Sequence, residues 1–470
     1  MITPEFAILG HPNEGKSSVL STLAEDDSVR VSPTPGETTE CRSFPVIIDG
    51  REVLRFTDTP GFQNPARVLA EMKKRAKSGE NPLVEFRRFA AGIPELHDDY
   101  ELLGPLERGA GIIYVVDGSR PVRIVDKAEM EILRLTGKPR MAIVNAKEHN
   151  DEYLEDWKNE FRKNFNSNRV FNAHRATYAE RILLLEALKS IDQDWQKPLS
   201  LVVEAFRKDW AARNAATVDI ITGLLTDCLS LQLSENVGSE KEAVHSREKL
   251  FHTYSETLAR KEKIAHERIR GLFKHNIFQY ELPPHSVLHA DLFDEQTWQL
   301  LGMTKKQVVI AGGLGGAAIG AGVEMATLGH SLGIFTAVGT VAGALSALFG
   351  GESFSGKAQL MGIPLGGERV QVGPAKSIDL LFVLLNRSLL YYHHVINWAH
   401  GRRDYNKTGQ PLLASHSSQG FTSRWSAGNI KICHDFFKIV GSRSSDGGVK
   451  ETARFRELLG NTLQEISESE

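Results

Sequence analysis

An apolar run at residues 5–9 leads directly into Gly10-His11-Pro12-Asn13-Glu14-Gly15-Lys16-Ser17, and a helix-like stretch, Ser18-Val-Leu-Ser-Thr-Leu-Ala, follows. This is the pattern G-x-x-x-x-G-K-S in the order strand, loop, helix, and that context is the confirming one. Gly10 and Gly15 let the backbone curl until successive N–H groups point inward, at the positive end of the helix dipole. Such a cradle suits phosphate oxygens. Lys16 is placed to reach the β- and γ-phosphates of a nucleoside triphosphate, and the Ser17 hydroxyl to ligate Mg2+.

Two further segments stand at suitable distances. Asp58-Thr-Pro-Gly61 follows an apolar run at 53–56, so Asp58 can hold Mg2+ through water and the Gly61 N–H can contact the γ-phosphate. Pro35-Gly-Glu-Thr38-Thr39 lies in a polar loop upstream. Thr38 there can ligate Mg2+ and sense the γ-phosphate, making the loop a switch that relaxes after hydrolysis. A plain turn is the other reading of Thr38. The expected metal set is Ser17, Thr38 and Asp58; Lys16, Thr38, Asp58 and Gly61 are expected to carry the chemistry.

Residues 1–192 alternate short apolar runs (6–9, 44–48, 53–56, 112–116, 141–144, 170–171) with polar helical patterns. This predicts an α/β domain, a mostly parallel sheet with helices on both faces. Residues 193–300 lose the strand signal and read as a helical domain. Val244, Phe251, Leu258, Ala265 and Leu272 recur every seven residues, but Arg or Lys at 247, 261 and 268 fills the partner position. An amphipathic helix against a neighbour is expected there, not a coiled-coil dimer. Residues 301–470 read as a glycine-rich apolar hairpin at 308–350 followed by helices at 375–400, 422–439 and 449–463. The tail 467–470 is expected to fray.

Taken together, the run 10–18, the Pro-Gly-x-Thr loop and Asp-Thr-Pro-Gly resemble the Era/TrmE branch of bacterial P-loop GTPases over about residues 1–190. The rest resembles the bacterial GTPases that carry a C-terminal domain of unknown function. The resemblance implies GTP and GDP as ligands, with Gly10, Asn13, Gly15, Lys16, Ser17 and Ser18 around the phosphates. It also implies a base motif Asn-Lys-x-Asp after a strand. Here the run 141–144 enters Asn145-Ala146-Lys147-Glu148. Asn145 matches, Ala146 replaces the lysine, and Glu148 replaces the aspartate with the same charge on a longer arm. Glu148 could pair with the guanine edge, Asp151 could do so after a loop shift, or the base could be held loosely. Asn172-Ala173-His174 resembles the Ser-Ala-Lys element, whose backbone N–H, here that of Ala173, donates to the guanine oxygen. Phe62 stands where Ras-like proteins carry a water-positioning glutamine, and Gln63 comes one position late. Asn13 matches an asparagine that coordinates K+ in the potassium-activated members, which would neutralise developing charge. Loop scaffolding is its other reading.

From Val308 to Gly350 the chain has no Lys, Arg or Asp, and only Glu324 and His330 interrupt it; 12 of its 41 glycines fall in 301–350. Gly312, Gly316 and Gly320 are four apart, which lines a helix face for close backbone packing. The 20 residues 331–350 would span about 30 Å as a helix, the thickness of a bilayer core. A membrane-inserting hairpin, meeting lipid or a membrane protein, is one reading; a glycine-faced helical pair buried in the fold is the other.

With 56 Lys+Arg against 59 Asp+Glu the net charge is −3, which excludes binding nucleic acid through bulk charge. Three dispersed cysteines form no disulfide framework. A mean hydropathy of −0.25 excludes a polytopic transporter, and no signal sequence is seen, so a cytoplasmic location is expected, peripheral or hairpin-anchored at the inner membrane. Basic runs at 73–75 and 87–88 read as solvated helix faces, with an anionic partner as the other reading. His285, His289 and Asp291 make a weak metal pattern, and His393, His394 and His400 read as packed aromatics. A magnesium-dependent GTPase acting as a switch on a helical module is the expected function; a nucleotide-gated RNA- or ribosome-associated module with negligible turnover is the alternative.

Overall fold

The computed structural model describes residues 3–24, 40–48, 51–76, 81–145, 152–171, 178–273, 286–293, 295–303, 356–360, 363–397, 420–442 and 448–468. The chain divides into two compact units, one built on residues up to Ala212 and one on residues from Arg213.

In the first unit the strands are β1 (Glu5–Leu9), β2 (Arg42–Ile48), β3 (Arg51–Asp58), β4 (Gly111–Asp117), β5 (Arg140–Asn145) and β6 (Ser167–Phe171). They form one sheet in the order β2-β3-β1-β4-β5-β6. Only the β2–β3 pair is antiparallel; every other pair is parallel. The helices are α1 (Lys16–Ala24), α2 (Pro65–Ala76), α3 (Pro82–Ala90), α4 (His97–Leu102), α5 (Gly104–Glu107), α6 (Ile124–Leu135), α7 (Leu154–Asn164), α8 (Tyr178–Leu188) and the start of α9 (Gln193–Leu229).

Strand alternation explains how the sheet is covered. Phe6 and Ile8 join Leu20, Phe56, Val115, Leu185 and Val202 on one face, while Ala7 and Leu9 join Val68, Phe86, Tyr114, Met130 and Trp157 on the other. Strands buried on both faces must read as continuous apolar runs, as Ile112 to Val116 do. Local chemistry sets helix starts. Asn81 caps α3 by accepting from Leu83 N–H at 3.0 Å, and Pro82 and Pro65 occupy first-turn positions where a missing N–H costs nothing. Chain order reverses at β1, which places the carboxyl ends of β1, β3 and β4 around a crevice where ligands of open α/β sheets bind.

The second unit holds the rest of α9, β7 (Leu233–Val237), α10 (Glu240–Leu272), α11 (Glu295–Leu301), β8 (Gly356–Leu360), β9 (Ile363–Val372), α12 (Asp379–Ile396), α13 (Ala427–Ser442) and α14 (Val449–Glu468). Helices dominate, as expected, but β7, β9 and β8 form an antiparallel sheet in that order. Leu233-Ser-Glu-Asn-Val237 is short and mostly polar, so periodicity gives no strand signal; pairing with β9 makes it one. α12 is buried from Asp379 through Tyr392, the mark of a helix at the centre of a core. On α10, Phe251, Leu258 and Ala265 are buried, whereas Val244 is 58% exposed. The seven-residue spacing therefore marks one packed face whose first position lies outside the core. The tail also differs from expectation: α14 runs to Glu468, with Ile466 and Ser467 buried.

Burial holds the His266 and His394 imidazoles at about 4, so both are neutral at pH 7. His266 stacks on Tyr391 with ring centroids 4.0 Å apart, and His393 lies against Phe421. These histidines pack as aromatics; His400 and His285 lie outside the described residues. Among the described residues no cluster of three or more His, Cys, Asp or Glu side chains could hold a metal, and no helix is long and apolar enough to cross a membrane. The segment 308–350 also lies outside the described residues.

Candidate functional site

The loop between β1 and α1 emerges at the carboxyl edge of the sheet, where a parallel strand hands over to a helix. Gly10 has φ 148°, and a Cβ there would lie 2.3 Å from the Val115 carbonyl oxygen, so only glycine lets the loop leave β1 across β4. Gly15 has φ 94°, and Asn13 sits at φ 69°, a left-handed conformation that asparagine tolerates. Ser18 is buried in the first turn of α1.

Lys16 is 8% exposed and its Nζ donates to the Gly10 carbonyl at 3.2 Å and the His11 carbonyl at 3.1 Å. Burial pushes its ammonium below the usual range, opposed by the carboxylates of Asp58, Glu129 and Glu14. The Ser17 hydroxyl donates to Asp58 Oδ2 at 3.1 Å, bringing the start of α1 and the end of β3 together. These neighbouring hydroxyl and carboxylate oxygens are hard donors of the kind Mg2+ takes alongside phosphate oxygens, so the residues fit the ion. Gly61 packs directly on the loop: a Cβ would lie 2.6 Å from Pro12 Cδ.

On the base side, Asn145 at the end of β5 is fully buried. Its Nδ2 donates to the Glu14 carbonyl at 3.1 Å, tying the loop to the end of β5. Asn145→Ala removes that donor from the Glu14 carbonyl. A loss of about 1–3 kcal/mol in domain stability is expected, read as a lower urea midpoint. Thr38, Glu148, Asp151 and Ala173 lie outside the described residues.

Sequence reasoning missed three supports of this loop. The Glu14 carboxylate accepts from Asp117 N–H and from Arg120 Nε at 3.0 Å. Arg120 in turn donates to Asp126 at 2.7 Å, and Arg123 joins at 3.1 Å. His11 Nδ1 meets Glu129 Oε1 at 2.9 Å, and Tyr114 Oη donates to the other Glu129 oxygen at 2.8 Å. Buried Asp126 and Glu129, three apart on α6, are the signal that could have revealed this, because acids on an apolar helix face need partners. Asp99 on α4, also fully buried, accepts from Gln63 N–H at 3.1 Å and from Asn64 N–H at 3.1 Å; nothing local marks it.

Phe62 is fully buried in the core beside α2, while Gln63 is exposed. Four of the five residues in the basic runs pair with acids: Lys73 with Glu131 at 3.6 Å, Arg75 with Glu71, Arg87 with Glu107 and Arg88 with Glu85. Lys73, Lys74 and Arg88 are exposed, as on a solvated face, whereas Arg75 and Arg87 are half-buried and lie over the Phe89 and Tyr100 rings.

The family described as 50S ribosome-binding GTPase matches residues 5–146. GTPase Der of Thermotoga petrophila is 23% identical over 164 residues, 34% of this chain and 32% of that protein. GTPase Der of Streptococcus pneumoniae is 25% identical over 164 residues, 34% of this chain and 33% of that protein. The chain thus spans about a third of the length of the curated relatives it matches. Among solved structures, an Aquifex aeolicus Era variant bound to GDP·AlF4− is 15% identical and covers 51% of this chain and 75% of its own, with a TM-score of 0.26. An S. thermophilus NFeoB variant bound to GMPPNP is 17% identical and covers 47% of this chain and 73% of its own, with a TM-score of 0.25. The domain of unknown function DUF3482 matches residues 158–464, more than half of the chain. With the GTPase model matched over residues 5–146 and this second match over most of its length, the chain belongs to the DUF3482 family.

Proposed function

We propose that the protein hydrolyses GTP to GDP and phosphate, and that residues 1–192 act as a nucleotide switch on the helical modules 193–300 and 301–470. The observation that carries this reading is the meeting of Ser17 Oγ and Asp58 Oδ2 at 3.1 Å beside the curled loop and its buried lysine. Water attacks the γ-phosphorus and gives up a proton to an oxygen of the phosphate being formed; the new P–O bond forms as the bond to the β–γ bridging oxygen breaks, and GDP leaves with that oxygen. Ser17, Asp58 and Thr38 would hold Mg2+, which supplies charge neutralisation on the phosphate oxygens when bound. Lys16 and the loop amides bind and orient the triphosphate, and Gly61 presents its N–H to the γ-phosphate. Asn145 braces the loop, and Glu148 selects guanine, since adenine lacks the donors to satisfy a carboxylate.

No glutamine occupies the water-positioning place; Phe62 is committed to the core. Turnover is therefore expected to be slow, and to be accelerated by K+ held by Asn13. Phosphate release from GTP is expected to vanish with EDTA, to exceed that from ATP, and to run faster in KCl than in matched NaCl. Equal rates in the two salts would remove the role given to Asn13, and turnover unaffected by EDTA would remove the metal.

The apolar hairpin 308–350 is the part proposed to meet a membrane, lipid or protein. Flotation of the full chain with liposomes, lost on deletion of 308–350, supports it; sedimentation without lipid overturns it. The description of the family matching residues 5–146 favours a second reading, a ribosome-associated switch. Salt-sensitive, GTP-dependent co-sedimentation with ribosomes would support that reading.

A further inference from the structure

Asp99 is a fully buried carboxylate outside every motif discussed above. Burying a charge is costly unless hydrogen bonds compensate it, and among the described residues all the hydrogen bonds to this carboxylate come from one short segment. Oδ1 accepts from Gln63 N–H at 3.1 Å, while Oδ2 accepts from Asn64 N–H at 3.1 Å and from Asn64 Nδ2 at 3.3 Å. Asn64 Nδ2 also donates to the Glu95 carbonyl at 2.7 Å. The donors lie at the entry to α2, whose positive dipole end adds to the compensation.

The same segment is gripped at its other end. Gly61 lies against Pro12 of the phosphate loop so closely that no side chain fits, and the neighbouring Phe62 is locked in the core. Residues 61–64 are thus pinned between the phosphate loop and Asp99, which α4 contributes from the helices inserted between β3 and β4. A tertiary cap for α2 would need only one acceptor. Two oxygens engaging two successive amides fix the path of the main chain as well.

We propose that Asp99 is a positioning residue for the γ-phosphate: by holding the Gln63 and Asn64 amides it keeps Gly61 against the phosphate loop, where its N–H meets the third phosphate of GTP. The proposal rests on the GTPase reading above. It makes the helical insertion part of the machinery that distinguishes triphosphate from diphosphate.

The test is Asp99→Asn in the full-length protein. The two side chains are isosteric, but an amide NH2 replaces one acceptor and confronts a donor of the 63–64 segment. Affinity for GMPPNP is expected to fall about tenfold, a step of ~1.4 kcal/mol, while affinity for GDP stays within about twofold. The turnover number should fall with the GMPPNP affinity. A merely structural role would shift both ligands together, so a parallel loss, or no change in either, overturns the proposal. Should Asp99→Asn not fold, Asn64→Ala removes the Nδ2 bonds, leaves both amide bonds in place and is read the same way, with a smaller loss for GMPPNP alone. If the unmutated protein binds neither GMPPNP nor GDP, the GTPase reading itself fails, a result separable from any effect of the variants.

Discussion

Lys16→Ala is expected to weaken GTP and GDP binding at least a hundredfold and to reduce turnover below detection. Lys16 is buried and donates to two carbonyls of its own loop, those of Gly10 and His11, so the substitution removes more than a charge. It takes away the only lysine of the loop and leaves the two carbonyls short of a donor. In the bound state Lys16 would make charge-assisted bonds to phosphate, each roughly twice as strong as a neutral one. Two tenfold steps correspond to ~2.8 kcal/mol, within the range for one charged hydrogen-bonding group plus its stranded partners. Titration with labelled GDP, ADP as the control, reads the effect. Lys16→Arg should not rescue it, because a planar guanidinium cannot fill a pocket shaped for a compact ammonium. Equal GDP affinity in Lys16→Ala and the unmutated protein would sink the assignment of this loop.

The second large effect belongs to the helical unit. Arg387 on α12 makes a bidentate pair with Glu262 on α10, Nε to Oε1 at 2.6 Å and a second nitrogen to Oε2 at 3.0 Å. A third nitrogen donates to the Ala290 carbonyl at 3.1 Å. The side chains are only 5% and 6% exposed. Arg387→Ala strands the Glu262 carboxylate in the core, and neutral His266 beside it supplies no substitute charge. Breaking such a pair costs about 3–5 kcal/mol, against about 0–1 kcal/mol for a surface pair. The loss is expected in the urea unfolding of the full chain, as a transition that moves while GDP affinity stays unchanged. The double replacement Glu262→Met with Arg387→Leu should recover most of it, since two apolar groups leave nothing unpaired. A loss under about 1 kcal/mol would show that the pair behaves as if solvated.

How far the reading of residues reached differs between the two units for a physical reason. The glycine loop, Asp58, Gly61 and Asn145 lie on short, local patterns in which one strand and one turn dictate the backbone. The apolar runs of the α/β sheet are similarly local, because burial on both faces leaves little room for polar residues. The sheet at β7, β9 and β8 was illegible, since Leu233-Ser-Glu-Asn-Val237 becomes a strand only by pairing with residues more than a hundred positions away.

What the order of residues marked unaided was the glycine-containing loop, the Ser17 and Asp58 positions that meet beside it and the doubly covered sheet, each encoded within a few neighbouring positions. Which side chains support that loop came only from folding. Glu14 meets Arg120, His11 meets Glu129, and Asp99 meets the amides after Gly61 because crossovers return distant segments to the same edge of the sheet. No periodicity or spacing encodes contacts between residues tens of positions apart. A buried acid announces only that a partner must exist, and the fold alone names it.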